Sequence, residues 1–163
     1  QVIWTLFLVI TALTVLDIGV LGVISGFVGM IVTHINGKLI DKTDKKTVVR
    51  FGAVSTTIMW TLSYFVAVYM PTPAILYIVT ALRGFALGIF ASAYGVIMFN
   101  RARSSDAQFI VLREIPTVFG RVVVFAITLI FVVIGKFELS FLMVAVISLY
   151  FWFNDIGGLI IKK

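Results

Sequence analysis

The chain has no cysteine, one histidine, three prolines and few charges, and each shortage removes a class of protein. Without cysteine there is neither a disulfide framework nor a thiolate metal site, and the lone His34 cannot anchor a metal by itself, so no metal or other cofactor is expected. Charged residues make up 12% of the chain against 61% hydrophobic, with a mean hydropathy of +1.17. A water-soluble domain of this length would carry a largely apolar surface, so the solvent expected here is lipid. There is no glycine-rich phosphate loop, no metal-spaced cluster and no nucleophile beside His34, and an enzyme is not expected. His34, at the end of an apolar run, reads as an interfacial histidine. A net charge of +6 would point to nucleic acid in a soluble protein. Here the basic residues sit beside apolar runs rather than among stacking aromatics, which argues against a nucleic-acid partner.

What the chain does have is long apolar runs. Only helices or closed barrels satisfy the backbone in hydrocarbon, and these runs lack the strict alternation of barrel strands. The expected fold is therefore an all-α membrane protein, a single polytopic transmembrane helix bundle over residues 1–163. Five spans are predicted at about 16–36, 50–70, 74–99, 114–135 and 139–161, each long enough to cross roughly 30 Å at 1.5 Å per residue. Residues 2–15 are also apolar but short, and read as a partial sixth helix or an interfacial one, with Trp4 at the headgroup level. Pro71 and Pro73 should end one helix and begin the next. The chain starts at Gln1 inside an apolar run without an initiator Met or a basic n-region, and the expectation is a processed or truncated piece of a longer protein.

Basic residues recur on one side of this layout: Lys38, Lys42, Lys45, Lys46 and Arg50, then Arg101, Arg103 and Arg113, then Lys162 and Lys163. The intervening turns hold one basic residue, Lys136, so the basic side is expected to face the cytoplasm. Glycines recur at packing intervals, Gly19, Gly22, Gly26 and Gly29 in one span and Gly84, Gly88 and Gly95 in another. Such stripes let helix backbones approach where no hydrophobic effect drives them together, and also permit sliding in a conformational cycle.

The first basic loop carries the most specific pattern: Gly37, Asp41, Lys42, Lys45 and Lys46. It resembles the signature Gly-x-x-x-Asp-Arg/Lys-x-Gly-Arg/Lys-Arg/Lys of the major facilitator superfamily, with Asp44 where that pattern has glycine. Degenerate copies are more typical of that family's C-terminal half. Arg113-Glu114 with Gly120-Arg121 is similar to the "RE…GR" found in some bacterial members. The resemblance implies part of a secondary active transporter that moves a small solute by alternating access, in a prokaryotic cytoplasmic membrane with the 37–50 loop inside. It implies a latch role for Asp41 and its lysines, and partners in the bilayer, a missing N-terminal half or second subunit, a small-molecule substrate and a coupling ion. The residues themselves give simpler roles: a tight helix exit at Gly37, a cap from Asp41, and lysines at an anionic leaflet.

Ionisable residues inside spans are costly and therefore candidate sites. They are Asp17, Arg83, Glu114, Arg121 and Asp155. Arg121 and Asp155 each sit at about 11 Å above the basic side on consecutive helices, where they can pair. Glu114, Arg121 and Thr128 recur at intervals of seven on one face. A buried pair of this kind fixes helix register as readily as it serves a function. Arg83 lies at about 25 Å, with Tyr94 on the same face and that face turned away from the glycines. It is suited to grip an anionic or hydrogen-bonding substrate, and Asp17, at about 30 Å, is the nearest acid that would neutralise it. The competing expectation is a non-transporting scaffold or receptor-like bundle, in which glycines and ion pairs only hold helices together.

Overall fold

The computed structural model describes residues 2–11, 14–40, 45–104 and 108–153, with side chains described except at 38–40, 45–46, 97–98, 100–104, 108–114, 116 and 151–153. Among the described residues the chain is helical, with six helices and no strand: α1 (Val2–Ile10), α2 (Val15–Ile40), α3 (Lys45–Tyr69), α4 (Pro73–Ser104), α5 (Gln108–Val133) and α6 (Leu139–Phe153).

Three of these helices hold stretches long and apolar enough to cross a membrane: Val15–Gly37, Thr47–Tyr69 and Pro73–Val96. The chain is thus a membrane-embedded helical protein. The five-span expectation is met only in part. In α5 and α6 the described apolar stretches, Thr117–Val133 and Leu139–Tyr150, are shorter, and the end of the last predicted span, 154–161, lies outside the described residues. Large apolar side chains face outward along α2 and α5, including Val23, Phe27, Met30, Phe119 and Val122. Lipid-facing helices require such surfaces, and a water-soluble fold avoids them.

Local chemistry sets the helix ends. Thr14 caps α2: the Asp17 amide donates to Thr14 Oγ1 at 3.2 Å, and the Thr14 amide donates to Asp17 Oδ2 at 3.2 Å. This is a reciprocal capping box with aspartate at the third helical position. Pro73 opens α4, where its missing N–H costs nothing, and Met70–Thr72 form the turn from α3, as the two prolines predict. Gly135, at φ +69°, closes α5. The Lys136 amide donates to Phe131 O at 2.8 Å and the Gly135 amide to Val132 O at 3.0 Å, the paired bonds of a Schellman motif.

Helix α4 is the central element, packed along both α2 and α3, while α3 packs in turn on α6 and α5 rests lightly on α6. The α2–α4 seam is a backbone contact. A Cβ on Gly84 would stand 2.5 Å from Ser25 O, and one on Gly88 would stand 2.9 Å from Gly29 O. Ser25 and Gly29 on α2 therefore face Gly84 and Gly88 on α4, two small-xxx-small pairs crossing each other. Gly52 brings α3 equally close to Phe90, with its hypothetical Cβ 2.8 Å from the Phe90 Cα. The sequence assigned a packing role to the whole α2 stripe, yet Gly19, Gly22 and Gly26 have nothing within 4 Å of a Cβ position. Of that stripe, Gly29 is the member at the seam.

Buried side chains fall into two clusters stacked along the bundle. One, at the proline-turn end, joins Ile3, Trp4, Phe7 and Leu8 of α1 to Trp60, Leu76, Val79, Phe137 and Phe141. The other, at the basic-loop end, gathers Val32, Val48, Val49, Ile89 and Ala93. Trp4 of α1 is buried in the protein, its indole held between α4 and Phe141 of α6, while Val2, Val9 and Ile10 of the same helix face outward.

The seam gives opposite expectations for two glycines of similar sequence context. Gly84→Ala should lower bundle stability by about 1–3 kcal/mol, since the new methyl meets backbone and cannot be relieved by a side-chain shift. Gly26→Ala, with open space around it, should leave stability unchanged or raise it by up to about 1 kcal/mol through helix propensity. Thermal or denaturant unfolding of the reconstituted chain checks both signs.

Candidate functional site

Near the middle of the Pro73–Val96 span, α4 carries Arg83, which is 4% exposed. A guanidinium at this depth needs a replacement for water, and three side chains from two other helices supply it. Its Cζ stands 3.8 Å from the ring centroid of Trp60 on α3 and 4.6 Å from that of Trp4 on α1. Its Nη1 donates to Ser63 Oγ at 3.0 Å. Ser63 Oγ donates in turn to Met59 O at 2.7 Å, which fixes the hydroxyl so that its lone pairs face the cation. Trp4 is held in place by its own Nε1, which donates to Thr80 Oγ1 at 3.0 Å, one turn from Arg83 on the same helix.

Two indole faces and one hydroxyl thus hold a cation that pairs with no carboxylate among the described residues. Ring quadrupoles attract a desolvated cation by up to about 2 kcal/mol each. The bond to Ser63 uses one of the five guanidinium donors. Below Arg83, toward the basic-loop end, a small gap of ≈ 10 Å³ between α3 and α4, room for about one water, is lined by Thr56, Met59, Trp60, Arg83, Ala86 and Leu87. It falls between the two buried clusters. Thr56 is buried, and its Oγ1 has no hydrogen-bond partner. Its neighbours Thr57 and Thr61 on α3 instead turn back to carbonyls four residues earlier.

The other sequence candidates are spread out. Asp17 meets Thr14 and accepts from Tyr77 Oη at 3.0 Å. Tyr77 is six residues before Arg83 on α4, so Asp17 sits about 9 Å further toward the proline turn and caps α2 instead of neutralising Arg83. Tyr94, half-buried, stacks on Phe90 with centroids 5.7 Å apart and does not line the Arg83 gap. Arg121 is exposed on α5, while Thr128 on that helix is buried and donates to Val124 O. Asp155 and the Glu114 side chain lie outside the described residues, as do Asp41, Lys42 and the side chains of Lys45 and Lys46. Gly37 is inside α2, which continues to Ile40. The tight helix exit expected at Gly37 is therefore displaced, because nothing at that position interrupts the backbone ladder.

No protein-family profile, curated protein or solved structure matches the chain.

Sequence reasoning found Arg83 through the cost of its charge but missed Trp4, Trp60, Ser63 and Thr56. Trp60 and Ser63 lie three residues apart and share an α3 face with Thr56, a spacing visible in the sequence. What the sequence did not reveal is that this face looks at Arg83.

The cage gives a direct energetic expectation. Trp60→Leu should cost about 1–2 kcal/mol more in the parent chain than in an Arg83→Met background, because the cation–π component is present only in the former. A double-mutant cycle on unfolding free energy measures that coupling, and a value near zero would show that the indole serves only as apolar bulk.

Proposed function

We propose that this chain is the C-terminal half-bundle of a major-facilitator-like secondary transporter, moving a small solute by alternating access together with a second half. The observation that carries the reading is Arg83: a buried cation near the middle of a span, paired with no carboxylate among the described residues and set between two separate packing clusters. Substrate sites of such transporters lie near the bilayer midplane. The basic hairpin supports the same reading through the spacing of Gly37, Asp41, Lys42, Lys45 and Lys46, with five crossings, a cytoplasmic hairpin and a latch role for Asp41 as its finer content. Rocking needs two bundles around one site, so activity belongs to the complete assembly.

The scaffold reading draws on Tyr94, which packs on Phe90, and on the α2–α4 seam, a contact that assembles helices irrespective of transport. Flux separates the two. In proteoliposomes holding the complete protein, uptake of a solute panel should fall at least about tenfold with Arg83→Ala, the loss of one charge-assisted contact. It should fall more modestly with Asp41→Asn. Undiminished uptake in both variants removes the proposed site and latch, and no uptake of any solute by the parent favours the scaffold.

Orientation is tested separately. Because the chain has no cysteine, a single Lys45→Cys substitution gives an unambiguous probe. A membrane-impermeant maleimide should label it in inverted vesicles and leave it unlabelled in intact cells.

A further inference from the structure

Three buried side-chain atoms lack hydrogen-bond partners, Asn36 Nδ2, Thr56 Oγ1 and Ser140 Oγ. Of these, Thr56 lines the same gap as Arg83. Its neighbours on α3 satisfy their hydroxyls within the helix: Thr57 donates to Ala53 O at 2.9 Å and Thr61 to Thr57 O at 3.0 Å. The Gly52 carbonyl offers Thr56 the same spacing, and Thr56 does not use it. A threonine that passes over the backbone bond in a membrane helix leaves its hydroxyl to be met from elsewhere.

Arg83 presents the complementary need. Its charge is balanced by the indoles of Trp4 and Trp60, and Nη1 is bonded to Ser63, which leaves donors of the guanidinium to be satisfied. Burial of such donors without an acceptor is costly, as is burial of an unpaired hydroxyl. The gap that both residues line measures ≈ 10 Å³, the space of about one water-sized sphere. An organic ligand does not fit it, and a metal cation would meet the guanidinium. Water is both an acceptor and a donor, and is of the right size.

We propose that one buried water occupies this gap, accepting from a guanidinium N–H of Arg83 and donating to Thr56 Oγ1. Thr56 is then a positioning residue for the solvation of the cation. Helix α3 meets Arg83 at two levels: directly through Ser63, and through the water held by Thr56 two turns nearer the basic-loop end. This site serves a scaffold as well as a transporter, so it stands or falls independently of the proposed function.

The test is the sign of a stability change, read as the thermal midpoint of the full chain in lipid nanodiscs. Thr56→Val keeps the side-chain shape and puts a methyl group in place of the hydroxyl. In a dry gap that exchange removes an unpaired polar group, and the midpoint holds or rises. With the water in place it takes away one of the water's partners, and the midpoint should fall by about 2–4 °C. In an Arg83→Met background, where the far end of the bridge is gone, the same exchange should move the midpoint by about 1 °C at most.

A second measurement decides the matter if Arg83→Met does not fold. In solid-state NMR of the parent chain with isotope-labelled threonine, magnetisation transferred from water should reach Thr56 severalfold faster than Thr80 and Thr128. Those two are equally buried and are hydrogen-bonded within the protein. An unchanged or raised midpoint in Thr56→Val, an equal fall in both backgrounds, or transfer to Thr56 no faster than to Thr80 each overturns the water bridge. Exchanging gluconate for chloride at constant ionic strength should leave the midpoint unmoved; a saturable rise would assign the gap to the anion and overturn the proposal as well.

Discussion

A charge placed near the middle of an apolar span has to be solvated by protein, and the upper half of this bundle is organised around that requirement. Arg83 needs Trp60 and Ser63 from α3 and Trp4 from α1, so α1 is drawn across the end of the bundle into a position that its own short apolar sequence does not dictate. Its indole is oriented by Thr80, and the aromatics of α1 and α6 then fill the volume above. Remove the cation and α1 keeps its hydrophobic contacts but loses the interaction that fixes where its tryptophan points.

The second constraint is steric and acts on a different face of the same helix. Gly84 follows Arg83 directly, and a turn of about 100° per residue carries it toward α2, where its missing side chain lets Ser25 and Gly29 approach to backbone contact. Adjacent residues thus impose two different demands. One face of α4 must approach a neighbouring backbone, and the other must keep a large cation enclosed. A helix anchored by backbone contact to α2 presents its other side to α3, where the close approach of Gly52 to Phe90 fixes the spacing again nearer the basic-loop end.

Much of this is legible in the sequence. Apolar run length and composition marked out α2, α3 and α4, Pro71 and Pro73 located their turn, and helical periodicity separated the Arg83 face from the Gly84–Gly88 face. Other features were illegible because they depend on partners far away in sequence. A tryptophan near the start of an apolar run suits the headgroup zone by frequency alone, and only a hydrogen bond to a threonine 76 residues on places it in the core. Glycine spacing likewise identifies a face capable of close approach without saying whether a helix arrives there, which is why Gly29 is at the seam and Gly26 is open. Asp17 was read by depth, but its nearest partners are the cap of its own helix and Tyr77.

The two clusters also bear on how such a bundle can move. The upper one is rich in rings locked edge to face and ties four helices and the α5–α6 turn together through Trp4, Phe7, Trp60, Val79, Phe137 and Phe141. The lower one is smaller, made of valines, one isoleucine and an alanine from α2, α3 and α4. A tilt that opens the basic-loop end loses few aromatic contacts, whereas one that opens the proline-turn end has to take Trp4 off Arg83 and expose the cation. The arrangement is mechanically asymmetric, with the costlier opening on the proline-turn side, because there Trp4 and Trp60 solvate Arg83 in place of water.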